Sequence, residues 1–284
     1  MRAVLITGAT GNVGGELIKI FERERLQVLA AVSNLEKAPR KMPANVEMRR
    51  MDFKDIETYG HALRSVHKVF LMLPPGLGDL NHTIFPFISA CRSSHVEQIV
   101  LLSLQGADKA EYLPHRKIER EILRQGVPYT FLRPSYFNQN FLTTHRDEVK
   151  RESRIFIPAG AGKTAFVDTR DVAEVAFKAL INDSHLGKAY ELTGNERLNY
   201  FEVAEIFSKV LGRRISYVKP SLPSFVLDNW RRDSNLRRTI VMAAIYTAAR
   251  FGRAAHLTTD LQNLLQRPPI SFRQFVEDYK NIWL

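Results

Sequence analysis

The stretch Thr7 to Gly15, TGATGNVGG, follows directly on the apolar run Arg2-Ala3-Val4-Leu5-Ile6, and no other junction constrains the fold as tightly. Val13, Leu17, Ile20 and Phe21 recur at helical spacing behind it, so a buried strand ends in a glycine-rich turn that opens a helix. The glycines divide the work. Gly8 permits the tight turn, Gly11 lets the backbone approach a pyrophosphate, and Gly14 lets the helix pack close against the strand. Free N–H groups at the helix start, with the helix dipole behind them, then face the phosphates. This strand–turn–helix context separates a dinucleotide fingerprint from a chance glycine cluster. Thr10, Asn12 and Val13 complete the expected phosphate contacts.

Strands alternate with helices through the first two-thirds, which predicts a parallel sheet. Gln27–Val32 reads as strand two, Val46–Arg50 as strand three, Lys68–Leu73 as strand four, Gln98–Ser103 as strand five and Tyr129–Leu132 as strand six. Strand four stops at Pro74-Pro75, which cannot continue a ladder. Asp55 caps a helix running to Leu63, and Ala110–Gln125 is a charged helix ended by Gly126. Ala165–Val167 and Ala189–Leu192 read as further strands, and Asn199 with Glu202 has the spacing of a capping box. From Ser221 onward the chain is mostly helical. The expected fold is α/β: a Rossmann-like, doubly wound parallel sheet with a smaller, mostly helical C-terminal domain. Residues 1–134 with 155–194 are assigned to the nucleotide domain, and 135–154 with 195–284 to the smaller one.

At 284 residues, 45% hydrophobic and 25% charged, the composition is that of an ordinary globular chain. No apolar stretch approaches the roughly 20 residues that span a bilayer. A strand and its phosphate loop occupy the N-terminus where a leader would stand, so a cytoplasmic protein without membrane association is expected. Cys91 is the single cysteine and reads as a buried thiol in an apolar helix. No metal-ligand spacing is present. The net charge is +11, with Arg213, Arg214, Arg231, Arg232, Arg237, Arg238, Arg250 and Arg253 in the last third. Nucleic acid is not the expected partner, since no helix-turn-helix or aromatic RNA-binding signature accompanies these arginines. Solvated helix faces and attraction of a polyanionic dinucleotide account for them.

An acid at the end of strand two would accept from both ribose hydroxyls and repel a 2′-phosphate. Here the strand ends Ala31-Val32-Ser33-Asn34, with Lys37, Arg40 and Lys41 close behind. NADP(H) is therefore the expected cofactor, with NAD(H) as the second choice. Asp52-Phe53 should flank the adenine. Leu73, Pro74 and Pro75 after strand four, Ser103 at the end of strand five, Lys117 on the next helix, and Pro134, Tyr136 and Phe137 after strand six are the remaining expected cofactor contacts.

The glycine spacing resembles the short-chain dehydrogenase/reductase superfamily. The ordered series SNLEKA, MDF, LMLPP, YTFLRPSYFNQN, AFVDTRDVAEVAFKAL, LTGNERLNYFEVAEIFSKVLG and LTTDLQNLLQRPPISFRQFVEDY resembles its NmrA-like atypical branch across nearly the whole chain. That resemblance implies a substrate cleft between two domains, and relatives that reduce quinones and triphenylmethane dyes. It also admits members that sense a dinucleotide without turnover. Where many relatives carry arginine, this chain has Ser33, so Lys37 is expected to bear the phosphate contact.

Superfamily dehydrogenases use Ser, Tyr and Lys, the last two spaced YxxxK. Ser103 ends strand five and Lys117 lies on the next helix, but Leu113 stands four residues before it and Tyr112 is out of register. His115 is nearby and is the alternative proton donor. The expected activity is therefore hydride transfer from NADPH to a planar apolar acceptor that does not need that tyrosine. Tyr136, Phe137, Asn140 and Phe141 are expected to line the acceptor site, with Trp230, Met242 and Tyr246 closing it. A monomer or a homodimer is expected.

Overall fold

The computed structural model describes residues 3–36, 43, 45–233 and 235–284. Its strands are β1 (Val4–Ile6), β2 (Val28–Val32), β3 (Val46–Arg50), β4 (Lys68–Met72), β5 (Gln98–Leu102), β6 (Tyr129–Pro134), β7 (Arg154–Ile155), β8 (Lys188–Leu192) and β9 (Ser216–Tyr217). Seven of them form one parallel sheet in the order β3-β2-β1-β4-β5-β6-β8. The inner strands β1, β2 and β5 are buried along their full length, as a sheet covered on both faces requires. The edge strands read VEMRR and KAYEL, and their charges keep the open edges from pairing with another chain. The chain winds outward from β1 to β3 and then crosses back to β4. The switch point therefore falls at the carboxyl ends of β1 and β4, where open α/β sheets bind ligands.

The helices are α1 (Asn12–Arg23), α2 (Glu57–Ala62), α3 (Ile84–Ser93), α4 (Pro114–Gln125), α5 (Arg146–Glu152), α6 (Thr169–Ile181), α7 (Tyr200–Leu211), α8 (Leu222–Asp233), α9 (Leu236–Arg250), α10 (Asp260–Leu265) and α11 (Phe272–Tyr279). The chain divides into two compact units. The first comprises Met1–Pro134 with Thr169–Leu192 and carries the seven-stranded sheet. Within it α1 packs on α6, with Phe21 edge-on to Phe177 at 5.1 Å. Cys91 is buried there, and burial pushes its thiol above the ordinary range, so it is no nucleophile. The helix expected from Ala110 starts instead at Pro114. Proline is favoured at the first helical position, and it holds Leu113 extended at ψ 136.

The second unit, Ser135–Asp168 with Thr193–Leu284, is mostly helical around an aromatic core. Phe141, Phe207, Phe272, Phe275 and Trp283 meet there, and the Trp283 indole donates to the Phe141 carbonyl at 3.1 Å. Asn199 and Glu202 form the expected capping box at the start of α7. Residues 155–168 and 193–194, assigned from sequence to the nucleotide domain, fall in this second unit, where Phe156, Ile157, Ala159 and Phe166 pack into the core. The strand expected at Ala165–Val167 reduces to a single parallel bridge between Val167 and Phe137. That bridge fixes Tyr136 to Asn138, with Val167 N–H donating to the Tyr136 carbonyl and Asn138 N–H to the Val167 carbonyl, both at 2.9 Å. Sequence reading missed the pair β7–β9, whose two-residue strands are too short to show a period.

Candidate nucleotide and acceptor site

The glycine-rich turn is built as its spacing implies. Thr7 ties the end of β1 to β4: its hydroxyl donates to the Phe70 carbonyl at 3.0 Å and accepts from the Met72 amide at 2.9 Å. Gly8 has φ +62, and a Cβ on it would stand 1.9 Å from the Met72 sulfur. A Cβ on Gly14 would meet the Gly8 carbonyl oxygen at 2.2 Å, so only glycine lets α1 approach the turn this closely. Gly11 differs from both. Its φ is −85 and its Cβ would lie 3.2 Å from Gly8 O, so its openness serves approach from outside and not backbone strain.

Thr10, Gly11 and Asn12 are exposed, while Val13 is buried beneath them. The first turn of α1 has no side-chain cap and no acidic residue. Its first amides therefore lack acceptors and face outward with the positive end of the dipole, which fits the pyrophosphate of a dinucleotide.

At the end of β2, Ser33 and Asn34 are exposed, and Asn34 Oδ1 caps the local turn by accepting from the Glu36 amide at 2.8 Å. Lys37 lies outside the described residues, as do Arg40 and Lys41. Asp52 Oδ1 accepts from the Lys54 amide at 2.9 Å. Phe53 is buried edge-on against Phe87, which leaves only its backbone to an adenine. Leu73 and Pro74 are partly exposed beyond β4, Pro75 is exposed, and Pro134 is buried at the end of β6.

No hydrogen bond joins Ser103, His115 and Lys117 to one another, although Ser103 and His115 both lie close to Glu119. The Ser103 hydroxyl is buried and donates to Glu119 Oε1 at 2.7 Å. Glu119 is fully buried and clamped by Arg133, whose Nε and Nη2 reach its two oxygens at 2.9 Å each. This carboxylate–guanidinium pair anchors α4 to β6 and was not anticipated. Its sequence signal is a glutamate beside Ile118 and Ile122 on the apolar face of α4. Burial lowers the His115 imidazole below its ordinary range, partly offset by the charge of Glu119. It is therefore neutral at pH 7 and a poor proton donor. Lys117 is exposed, and Tyr112 is 73% exposed.

In the second unit, Tyr136, Phe137 and Asn140 each keep part of their surface open, and Asn140 is hydrogen-bonded to the Tyr136 phenol. Phe141 and Tyr246 do not line a site directly. Phe141 is fully buried among Phe166, Phe207 and Phe272, and Tyr246 is buried behind Tyr136 with their hydroxyls 2.6 Å apart. Met242 is partly buried against the same core. Trp230 is 53% exposed on α8, in an open apolar groove of about 710 Å³ with Leu222, Pro223, Val226, Leu227 and Leu236. His145 and Glu148 were missed, although their i, i+3 spacing at the start of a helix offered a signal. His145 Nε2 lies 2.6 Å from the Tyr246 hydroxyl and its Nδ1 lies 3.2 Å from Glu148 Oε2. Two arginines of the basic last third are also structural. Arg213 donates to the carbonyls of Val149, Lys150 and Trp283, and Arg232 pairs with Glu152 and Asp228. Among the described residues no helix is long and apolar enough to cross a membrane.

A parallel sheet reversing at β1 and β4, with an uncapped helix N-terminus behind a glycine turn, defines a nucleotide-binding α/β protein of Rossmann type. The chain belongs to the NmrA-like family, which it matches over residues 1–246. It is 30% identical over 294 residues to agroclavine dehydrogenase of Claviceps fusiformis, covering 99% of this chain and 98% of that protein. It is 29% identical over 223 residues to NAD(P)H azoreductase of Xenophilus azovorans, covering 77% of each. Among solved structures it is similar to the triphenylmethane reductase of Citrobacter sp. complexed with NADP(H). That likeness has a TM-score of 0.87 and 26% identity, and covers 97% of this chain and 99% of that one.

Proposed function

We propose that the protein is an NADPH-dependent reductase passing hydride to a planar, apolar, electron-poor acceptor such as a quinone, an azo compound or a cationic dye. The observation that carries this reading is an intact nucleotide cradle in a chain whose acid-base tyrosine is missing, Tyr112 being out of register and turned to solvent. Thr10 to Val13 hold the pyrophosphate, Ser33 and Asn34 receive the adenosine ribose, and Lys37 supplies the cation for a 2′-phosphate. The similar triphenylmethane reductase, in complex with NADP(H), supports this choice of cofactor. When bound, the reduced nicotinamide supplies a hydride. The chain's own residues place the acceptor and exclude water. Tyr136, Phe137 and Asn140 follow within a few residues of the carboxyl end of β6, and they present an aromatic, amide-bearing surface to a flat ring system. The test is NADPH oxidation against a panel of quinones and azo and triphenylmethane dyes, beside fluorescence titration with all four nicotinamide nucleotides. Turnover with tighter binding of NADP(H) than NAD(H) is expected. Tight nucleotide binding without turnover of any acceptor would replace this reading with that of a nucleotide sensor.

A further inference from the structure

The interior of the second unit holds a line of polar groups that its packing alone does not need. Glu148 is buried on α5, and its Oε2 accepts from the Phe156 amide at 3.3 Å and lies 3.2 Å from His145 Nδ1. The other imidazole nitrogen lies 2.6 Å from the Tyr246 hydroxyl, which lies 2.6 Å from that of Tyr136. Tyr136 ends this line with Asn140 on its phenol, and the residue as a whole keeps part of its surface exposed. The groups facing His145 are Glu148 from its own helix, Phe141, and Tyr246 from α9, behind which stand Tyr136 and Tyr200. Among the described residues no lysine or arginine bonds to Glu148, His145, Tyr246 or Tyr136. A chain of this kind, one acid, one imidazole and two hydroxyls in unbroken contact, can carry a proton as well as hold a fold.

We propose that Glu148, His145 and Tyr246 form a proton store and wire ending at Tyr136, and that Tyr136 protonates those acceptors that need a proton after hydride transfer. This rests on the reductase reading above. Hydride addition to a quinone leaves an oxyanion. The Tyr136 O–H gives its proton to that oxygen and takes the Tyr246 proton. Tyr246 in turn takes the Nε2 proton of the His145 imidazolium. Neutral His145 remains, its Nδ1–H donating to Glu148, and the same wire recharges it from water once product leaves. Burial raises Tyr136 to about 12 and Tyr246 well above the ordinary phenol range, so both stay protonated and relay without accumulating as tyrosinate. The wire thus supplies from another element the proton that the superfamily's tyrosine would have given.

Two acceptors separate this role from a structural one. A quinone needs hydride and a proton, whereas a cationic triphenylmethane dye takes hydride at its central carbon and is neutral afterwards. For quinone turnover by the whole protein, kcat should fall as pH rises through the titration of His145. The protonation state of His145 is read independently from its imidazole resonances by NMR. Dye turnover should lack this limb and its solvent isotope effect. Tyr246→Phe keeps the ring packing and cuts the wire. It should lower quinone kcat by on the order of tenfold or more relative to dye kcat, with nucleotide affinity held. Equal effects on both acceptors, or a quinone limb that does not follow His145, would overturn the wire and leave the reductase intact. Failure of the wild-type protein to reduce either acceptor would instead remove the reductase reading and the wire with it. Should Tyr246→Phe not fold, the wild-type pH profile, isotope effect and NMR titration still decide.

Discussion

Replacing Gly14 by alanine should destabilise the protein, while replacing Gly11 by valine should leave it folded and abolish nucleotide binding. The difference comes from two distances. A Cβ on Gly14 would sit 2.2 Å from the Gly8 carbonyl oxygen and 2.8 Å from its carbon, both rigid backbone. The start of α1 and the turn must then separate by about 1 Å, and overpacking of this kind costs up to about 3 kcal/mol. For a chain of this size that lowers Tm by roughly 6–12 °C. On Gly11 the corresponding distance is 3.2 Å, φ is −85, and the position is exposed, so the Gly8 carbonyl has to yield by only a few tenths of an ångström. Valine there forfeits the preference for glycine at the helix N-cap, about 1 kcal/mol, but its methyls stand in the path of the pyrophosphate. Thermal melts by circular dichroism and fluorescence titration with NADPH read the two effects separately. A folded Gly11→Val protein that binds NADPH normally would refute the assigned phosphate loop. A Gly14→Ala protein as stable as the parent would refute the close-approach argument.

Glu119→Gln should cost about 2–3 kcal/mol in urea unfolding, because it strips a fully buried carboxylate from Arg133, whose side chain is only 12% exposed. Ser103→Ala should lower stability by about 1 kcal/mol and leave kcat nearly unchanged, since the hydroxyl is already committed to Glu119. A large loss of kcat there would restore the serine to catalysis. His115 binds its proton less readily folded than unfolded, so it withdraws stability as pH falls through and below the ordinary histidine value of about 6.5. His115→Phe should accordingly flatten the acid limb of a Tm-against-pH curve, and an unaltered limb would contradict the assigned burial of the neutral ring.

The nucleotide unit was legible because its signals are local. The glycine spacing, the apolar runs of β1, β2 and β5 and the Asn199–Glu202 cap each lie within a few residues of what they determine. Polar pairs formed across the fold leave no such trace. His145 and Tyr246 are 101 positions apart, and Arg133 reaches Glu119 only because β6 and α4 pack together. Aromatic residues were the other blind spot. Tyr136 and Phe141 sit five positions apart in one aromatic segment, yet the first keeps an open edge and the second is sealed in the core. Sequence composition cannot separate those fates, because both rings bury area and only the packing decides which edge is left over. Boundaries moved where a single residue overruled the pattern, as Pro114 did for α4.

Deuterium transfer decides whether this chain moves hydride from a nicotinamide to a carbon acceptor. The most direct measurement uses NADPH carrying deuterium at the transferable position of the nicotinamide, a cationic triphenylmethane dye, and mass spectrometry of the leuco product. Leuco dye carrying one deuterium at its central carbon is expected, formed at a rate set by protein concentration and lost in Gly11→Val. Unlabelled leuco dye, or no reduction while NADPH remains tightly bound, would contradict it.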